Sequence, residues 1–147
     1  MWDTASGSWS SSLEASPFHG RIGNVENIIV IAEITQVEIV SAAFRRHREG
    51  SISLQTANAI RQLLDRHVAT DYKIVGLSAL LVHRAEDLLG NHTLRASDAI
   101  QLASAIEANE QLLREQIALL TFVSADKRLL TAASAEGLAI DDPNTHP

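Results

Sequence analysis

The sequence predicts an α/β fold in which a parallel sheet lies between layers of helices. Three observations lead to this class. The run Ile28-Ile29-Val30-Ile31 is compact and β-branched, with no polar alternation, as in a strand covered on both faces. Two later apolar runs, at residues 71–77 and 119–124, are each followed within a few residues by a helix N-cap type, Ser78 and Asp126. Glycines Gly50 and Gly137 close two of the amphipathic segments, where a left-handed residue ends a helix.

Taken in order, residues 1–27 are rich in Ser and Gly. They read as an irregular segment with a short helical stub near residues 9–13. After the first strand, Thr35-Gln36-Val37-Glu38 has capping-box spacing, and Val37, Val40 and Phe44 recur on one helical face. Arg45, Arg46 and Arg48 lie near the end of that helix, where its dipole favours cations. A second amphipathic helix is expected over residues 53–67, with Leu54, Ala57, Ile60 and Leu64 on its stripe. The strand at 71–77 leads into a helix over 78–89, stopped by Gly90-Asn91. A further helix opens near Ser97 or Asp98 and turns Ala99, Leu102, Ala103 and Ile106 inward. A strand at 119–124, a helix over 126–135 and a last short strand at 138–140 complete the domain, expected to span residues 28–143. A short tail, residues 144–147, follows. Strands alternating with helices imply parallel pairing.

Composition narrows the function. At 147 residues the chain fits one domain, large enough to hold together without cross-links. It contains no cysteine, so disulfides and thiolate zinc sites are excluded, and a reducing cytoplasm is the expected compartment. The formal charge of −6 disfavours a protein that grips nucleic acid by bulk charge. It suits one that gathers carboxylates or meets a basic partner. No apolar run approaches the length of a membrane span.

Glycine-rich phosphate loops, paired metal-binding histidines and nucleophile elbows are all absent. His19, His47, His67, His83, His92 and His146 are scattered and read as surface or loop residues. Acids remain. In a parallel sheet, ligands bind beyond the carboxyl ends of the strands. Three acids are expected near that edge: Glu38 in the first turn of the first long helix, Asp98 at a helix start, and Asp126 just past a strand. Convergent carboxylates suit a hard cation such as Mg²⁺, which activates water and neutralises charge at phosphorus. Each acid also has a structural role open to it. Glu38 can close a capping box with Thr35, Asp98 can cap its helix with Gln101 completing a box, and Asp126 can be an N-cap.

The wording of three segments goes further. Ile31-Ala32-Glu33-Ile34-Thr35-Gln36-Val37-Glu38, Leu94-Arg95-Ala96-Ser97-Asp98-Ala99-Ile100-Gln101-Leu102-Ala103 and Phe122-Val123-Ser124-Ala125-Asp126-Lys127-Arg128-Leu129-Leu130 resemble, in this order, the PIN-domain family, specifically VapC-like ribonuclease toxins. The resemblance implies a PIN-like three-layer fold and a Mg²⁺- or Mn²⁺-dependent endoribonuclease of a toxin–antitoxin pair. By position, Glu38, Asp98 and Asp126 resemble three of the four metal-holding family acids. Ser124 resembles the hydroxyl residue that supports the last of them, and Arg95 matches a family position consistent with a loop anchor. It further implies an RNA substrate, an antitoxin that covers the site, and a homodimer using residues 37–44 or 54–64, stripes that also suit a core. Arg45, Arg46 and Arg48 are candidate phosphate contacts or an ordinary solvated helix end.

One departure stands out. The family opens on an apolar strand ending in an aspartate, and nothing here matches it. Asp3-Thr4-Ala5-Ser6 echoes the motif, yet only Met1-Trp2 precede it, too few for a central strand. The strand and the opening of the helix after it are therefore expected to be missing ahead of residue 1, and Asp3 is not taken as the first ligand. Neighbouring strands then lose ladder partners, at roughly 1–3 kcal/mol per buried unpaired group, against a total stability of about 5–15 kcal/mol. This gives the alternative expectation: a catalytically incomplete PIN-like module that binds antitoxin or a partner toxin without cleaving RNA.

Overall fold

A computed structural model describes residues 2–3, 8–9, 28–117 and 119–146. Trp2–Asp3 (β1) and Ser8–Trp9 (β2) form a small antiparallel pair, with Trp2 opposite Trp9 and Asp3 opposite Ser8. Trp9 is thus extended rather than part of a helical stub. The rest of that expected stub lies outside the described residues.

From residue 28 the order is the alternation the sequence predicts. Strand β3, Ile29–Ala32, runs straight into α1, Glu33–Arg48; α2, Leu54–Thr70, then leads to β4, Tyr72–Val75. Helices α3, Ala79–Asn91, and α4, Ala96–Arg114, follow. The chain finishes with β5, Thr121–Val123; α5, Lys127–Ala135; β6, Ala139–Asp141; and a 3₁₀ turn at Pro143–Thr145. The fold is α/β, with five α-helices among the described residues and parallel pairing of β3 with β4 and of β5 with β6. Among the described residues no ladder joins these two pairs.

Local chemistry sets the helix ends. Ser53 Oγ accepts the Thr56 N–H at 3.0 Å, and Ser78 Oγ accepts the Leu81 N–H at 3.1 Å, so both cap their helices, Ser78 as the sequence suggests. Gly50 and Gly137 adopt φ of +76° and +83°, and each closes a Schellman motif. After α4 the same pair of backbone bonds forms around Gln116, at φ 55°, a residue with no sequence signal for the left-handed region.

Three expectations change. Helix α1 begins at Glu33, three residues ahead of the start that the expected capping box implies, and no side chain caps it. The Glu33 carboxylate instead accepts the Leu77 N–H at 2.8 Å, tying the start of α1 to the segment after β4. Gly90 does not stop α3, which continues through Asn91 and ends with the His92 N–H on the Leu88 carbonyl. Val37 and Leu54, placed on inward stripes from their spacing, are 68 % and 50 % exposed. Ala43 is the residue α1 buries, while α2 buries Ala57 and Leu64.

The core centres on α4. Leu81, Leu102 and Val75 are its largest fully enclosed side chains. Around them lie alanines from three helices: Ala85 of α3, Ala99, Ala103 and Ala108 of α4, and Ala132 and Ala133 of α5. Val30 and Phe122, from the two strand pairs, pack against this cluster. Helix α4 packs against β3, and its Asn109 Oδ1 accepts the Leu120 N–H, just ahead of β5, at 2.9 Å.

One acid sits inside this packing. Glu107 of α4 is buried, and loss of water pushes its carboxyl above the usual glutamate range, opposed by the nearby Arg84 charge. The Arg84 guanidinium spends a hydrogen bond on Glu110 at 3.1 Å. A folded-state pKa above the unfolded value means stability that is complete below the unfolded pKa and is lost as pH rises through the folded one. Charged Glu107 is thus a burden at neutral pH. Glu107→Gln is expected to raise Tm at pH 7, with the gain shrinking as pH falls to the ordinary value of 4.5 and below. Thermal melts of both proteins across that range check it; a gain that grows on acidification rules the burden out.

Candidate functional site

A groove of about 810 Å³ separates β3 from β5. Both strands line it, and Ala105, Ser104, Gln101 and Leu112 of α4 form its floor. Among the described residues, Asp141, at the end of β6, is the ionisable one that lines it. The candidate acids are arranged around α4 and the ends of these strands.

Glu38 is half-buried in the second turn of α1, because the helix begins earlier than its capping-box spacing suggests. Its Oε2 accepts a hydrogen bond from Gln101 Nε2, across 63 positions of sequence. Gln101 follows Asp98 by three residues on α4, so the two share a helix face. Asp98 lies at the third position of α4, which opens at Ala96 rather than at Ser97 or Asp98. Its Oδ2 accepts the Arg95 N–H at 3.4 Å. Here Arg95 is the N-cap position itself, and the acid reaches back to it.

Asp126 precedes α5 as its N-cap. Its Oδ1 accepts the Arg128 N–H at 2.8 Å and the Leu129 N–H at 3.3 Å. These backbone donors, foremost that of Arg128, hold its carboxyl below the usual aspartate range. Ser124 Oγ accepts the Asp126 N–H at 3.1 Å, fixing the turn that presents the acid. Arg45, Arg46 and Arg48 are all exposed in the last turn of α1. They follow Glu38 by seven residues or more, about 10 Å along the helix axis.

Two of the three acids are thus associated with one face of α4, Glu38 through Gln101 and Asp98 directly. Asp126 stands past the end of β5. Among the described residues no three His, Cys, Asp or Glu side chains are gathered closely enough to hold one metal ion. The donor types still suit a hard cation, since all three candidates offer carboxylate oxygens. Three of the described histidines pair with single acids instead: His67 with Asp71 at 2.6 Å, His146 with Asp141 at 2.8 Å and, across 44 positions, His92 with Glu136 at 2.7 Å. Sequence reasoning missed Gln101 as the partner of Glu38 and Glu33 as the anchor of Leu77. Neither partnership has a local spacing signal.

No family model matches the chain, and no curated protein or solved structure matches it. No helix among the described residues is long and apolar enough to cross a membrane.

Proposed function

We propose that this chain is a PIN-like, VapC-type scaffold acting as a Mg²⁺-dependent endoribonuclease of a toxin–antitoxin pair. The observation that carries the reading is the Glu38–Gln101 hydrogen bond, which links α1 to the face of α4 that bears Asp98. Segments that resemble the family in wording are thereby associated through a contact their spacing alone does not require. Glu38, Asp98 and Asp126 are the residues that would hold Mg²⁺ or Mn²⁺. The ion would supply an activated water and offset charge developing on an RNA phosphate. Gln101 orients Glu38, Ser124 supports the turn of Asp126, and Arg45, Arg46 and Arg48 offer an exposed cationic helix end to the RNA backbone. In this reading β3–β6 are parts of one three-layer sheet. Exposed Val37 and Leu54 offer apolar surface to a homodimer.

A second reading has its own observation. The two strand pairs are unjoined among the described residues, which favours a catalytically incomplete module that binds antitoxin or a partner toxin. Incubating the full chain with single-stranded RNA separates the two. The nuclease reading expects discrete fragments with Mg²⁺ or Mn²⁺ and none with excess chelator. Intact RNA in every metal condition, with retained binding of a basic antitoxin-like peptide, favours the second.

A further inference from the structure

One guanidinium between α3 and α4 serves two carboxylates unequally. Arg84 Nη2 donates to Glu110 Oε2 at 3.1 Å, near the surface, where the Glu110 side chain is 42 % exposed. Arg84 Nη1 is enclosed and has no hydrogen-bond partner among the described residues. Buried donors in folded proteins are nearly always paired. The second carboxylate on which the Arg84 charge acts is that of Glu107, which is 9 % exposed. Glu107 and Glu110 are three residues apart and share a face of α4.

The other charges nearby are engaged or remote. Arg114, on α4 itself, also acts on Glu107, but it is exposed and donates to Gln111 Oε1 at 2.9 Å. On α3, His83, Glu86 and Asp87 are exposed, and His83 pairs with Glu86 at 3.0 Å. Among the described residues, no charged group of β3, α1 or α5, which also pack on α4, acts on Glu107. Burial keeps Glu107 protonated beyond the usual glutamate range. Once that proton leaves, a full charge stands in a dry site, where attraction to a cation is far stronger than at a solvated surface. Glu110, half in water, then holds Arg84 less firmly than Glu107 does.

We propose that Arg84 is a proton-gated clamp between α3 and α4: it pairs outward with Glu110 while Glu107 carries a proton, and turns Nη1 inward onto Glu107 when that carboxyl ionises. The proton passes to solvent, and Glu110 is released to water. Because Arg84 is on α3 and both acids are on α4, the polar contact between these helices follows pH. The clamp does not depend on RNA cleavage or on a metal.

The test is an NMR titration of the full 147-residue chain without RNA or divalent metal. It follows the side-chain carboxyl carbon of Glu107 together with the guanidinium protons of Arg84. Glu107 is expected to titrate with a midpoint above the ordinary 4.5. At that same midpoint, exchange of the Arg84 guanidinium protons with water should slow about tenfold, after correction for the intrinsic pH dependence, as a donor gains a charged acceptor. Glu107→Gln should abolish this slowing, and Glu110→Gln should keep it. The reverse pattern overturns the proposal, because it makes Glu110 the driver. So does an Arg84 signal that stays unchanged while Glu107 titrates, or a Glu107 midpoint at or below the ordinary value. Arg84→Met should move the Glu107 midpoint further up; a midpoint that stays or falls overturns the clamp. Should a variant fail to fold, the titration of the unsubstituted chain still decides. None of these outcomes bears on metal-dependent cleavage, so the nuclease reading stands or falls separately.

Discussion

In the proposed nuclease reading, Glu38→Gln and Asp98→Asn are each expected to lower metal-dependent RNA cleavage by about 10²-fold or more while leaving the fold intact. The size follows from what one fixed charge contributes where charge develops in the transition state. The isosteric amides are chosen because the present contacts survive them. A glutamine at position 38 still accepts from Gln101 through its carbonyl oxygen, and an asparagine at position 98 still accepts the Arg95 N–H. Asp126→Asn belongs in the same set, because asparagine caps a helix about as well as aspartate. Cleavage rates under single-turnover conditions, beside thermal melts of each variant, make the comparison. Full activity in all three amide variants would reject these acids as the site. Lost activity with an unchanged melt is the expected pattern, and it separates chemistry from capping, which an alanine substitution would not.

The largest effect on stability is expected at Leu102. It is fully buried at the centre of α4, among side chains from α3, α5 and the strand pairs. Leu102→Ala removes its share of buried apolar surface and leaves a cavity, at about 2–5 kcal/mol in comparable sites. A domain of this kind holds about 5–15 kcal/mol in total, so the variant should lose a large part of its stability. Urea titration reads this as a lower midpoint with little change in slope. Leu113→Ala is the internal comparison, since Leu113 is on the same helix and 52 % exposed. Its cost should stay within about 0.5 kcal/mol, as at ordinary surface sites. Similar losses at both positions would mean that α4 does not occupy the centre of the core.

The α/β class was legible because its signals are local. A β-branched run at residues 28–31, the serine cap at 78, and glycines 50 and 137 each act within a few residues of chain. What escaped was set across the sequence. The start of α1 is fixed by Glu33 reaching Leu77, 44 positions away, so the local Thr35–Glu38 spacing pointed three residues too late. Gln101 finds Glu38 across 63 positions. Apolar periodicity put Val37 and Leu54 inside, yet periodicity says which residues share a face, not whether another element covers it. The acids were identifiable as candidates from the wording of their segments. That Asp126 caps α5 was among the structural roles open to it, whereas Asp98, expected as a cap with Gln101 completing the box, instead stands at the third position of α4 and reaches back to Arg95.

The alanines around Leu102 leave the protein little room for drift. Where neighbouring helices meet through methyl groups, their backbones stand close, and there is no long side chain to swing aside. A valine in place of Ala99, Ala103 or Ala133, each wholly enclosed, must be accommodated by moving a helix. Overpacking of this sort costs about 1–3 kcal/mol. Because α4 carries strands on its flank, the displacement would travel outward and alter the width of the gap between them. Mutational tolerance in this molecule should therefore be lowest at its smallest residues.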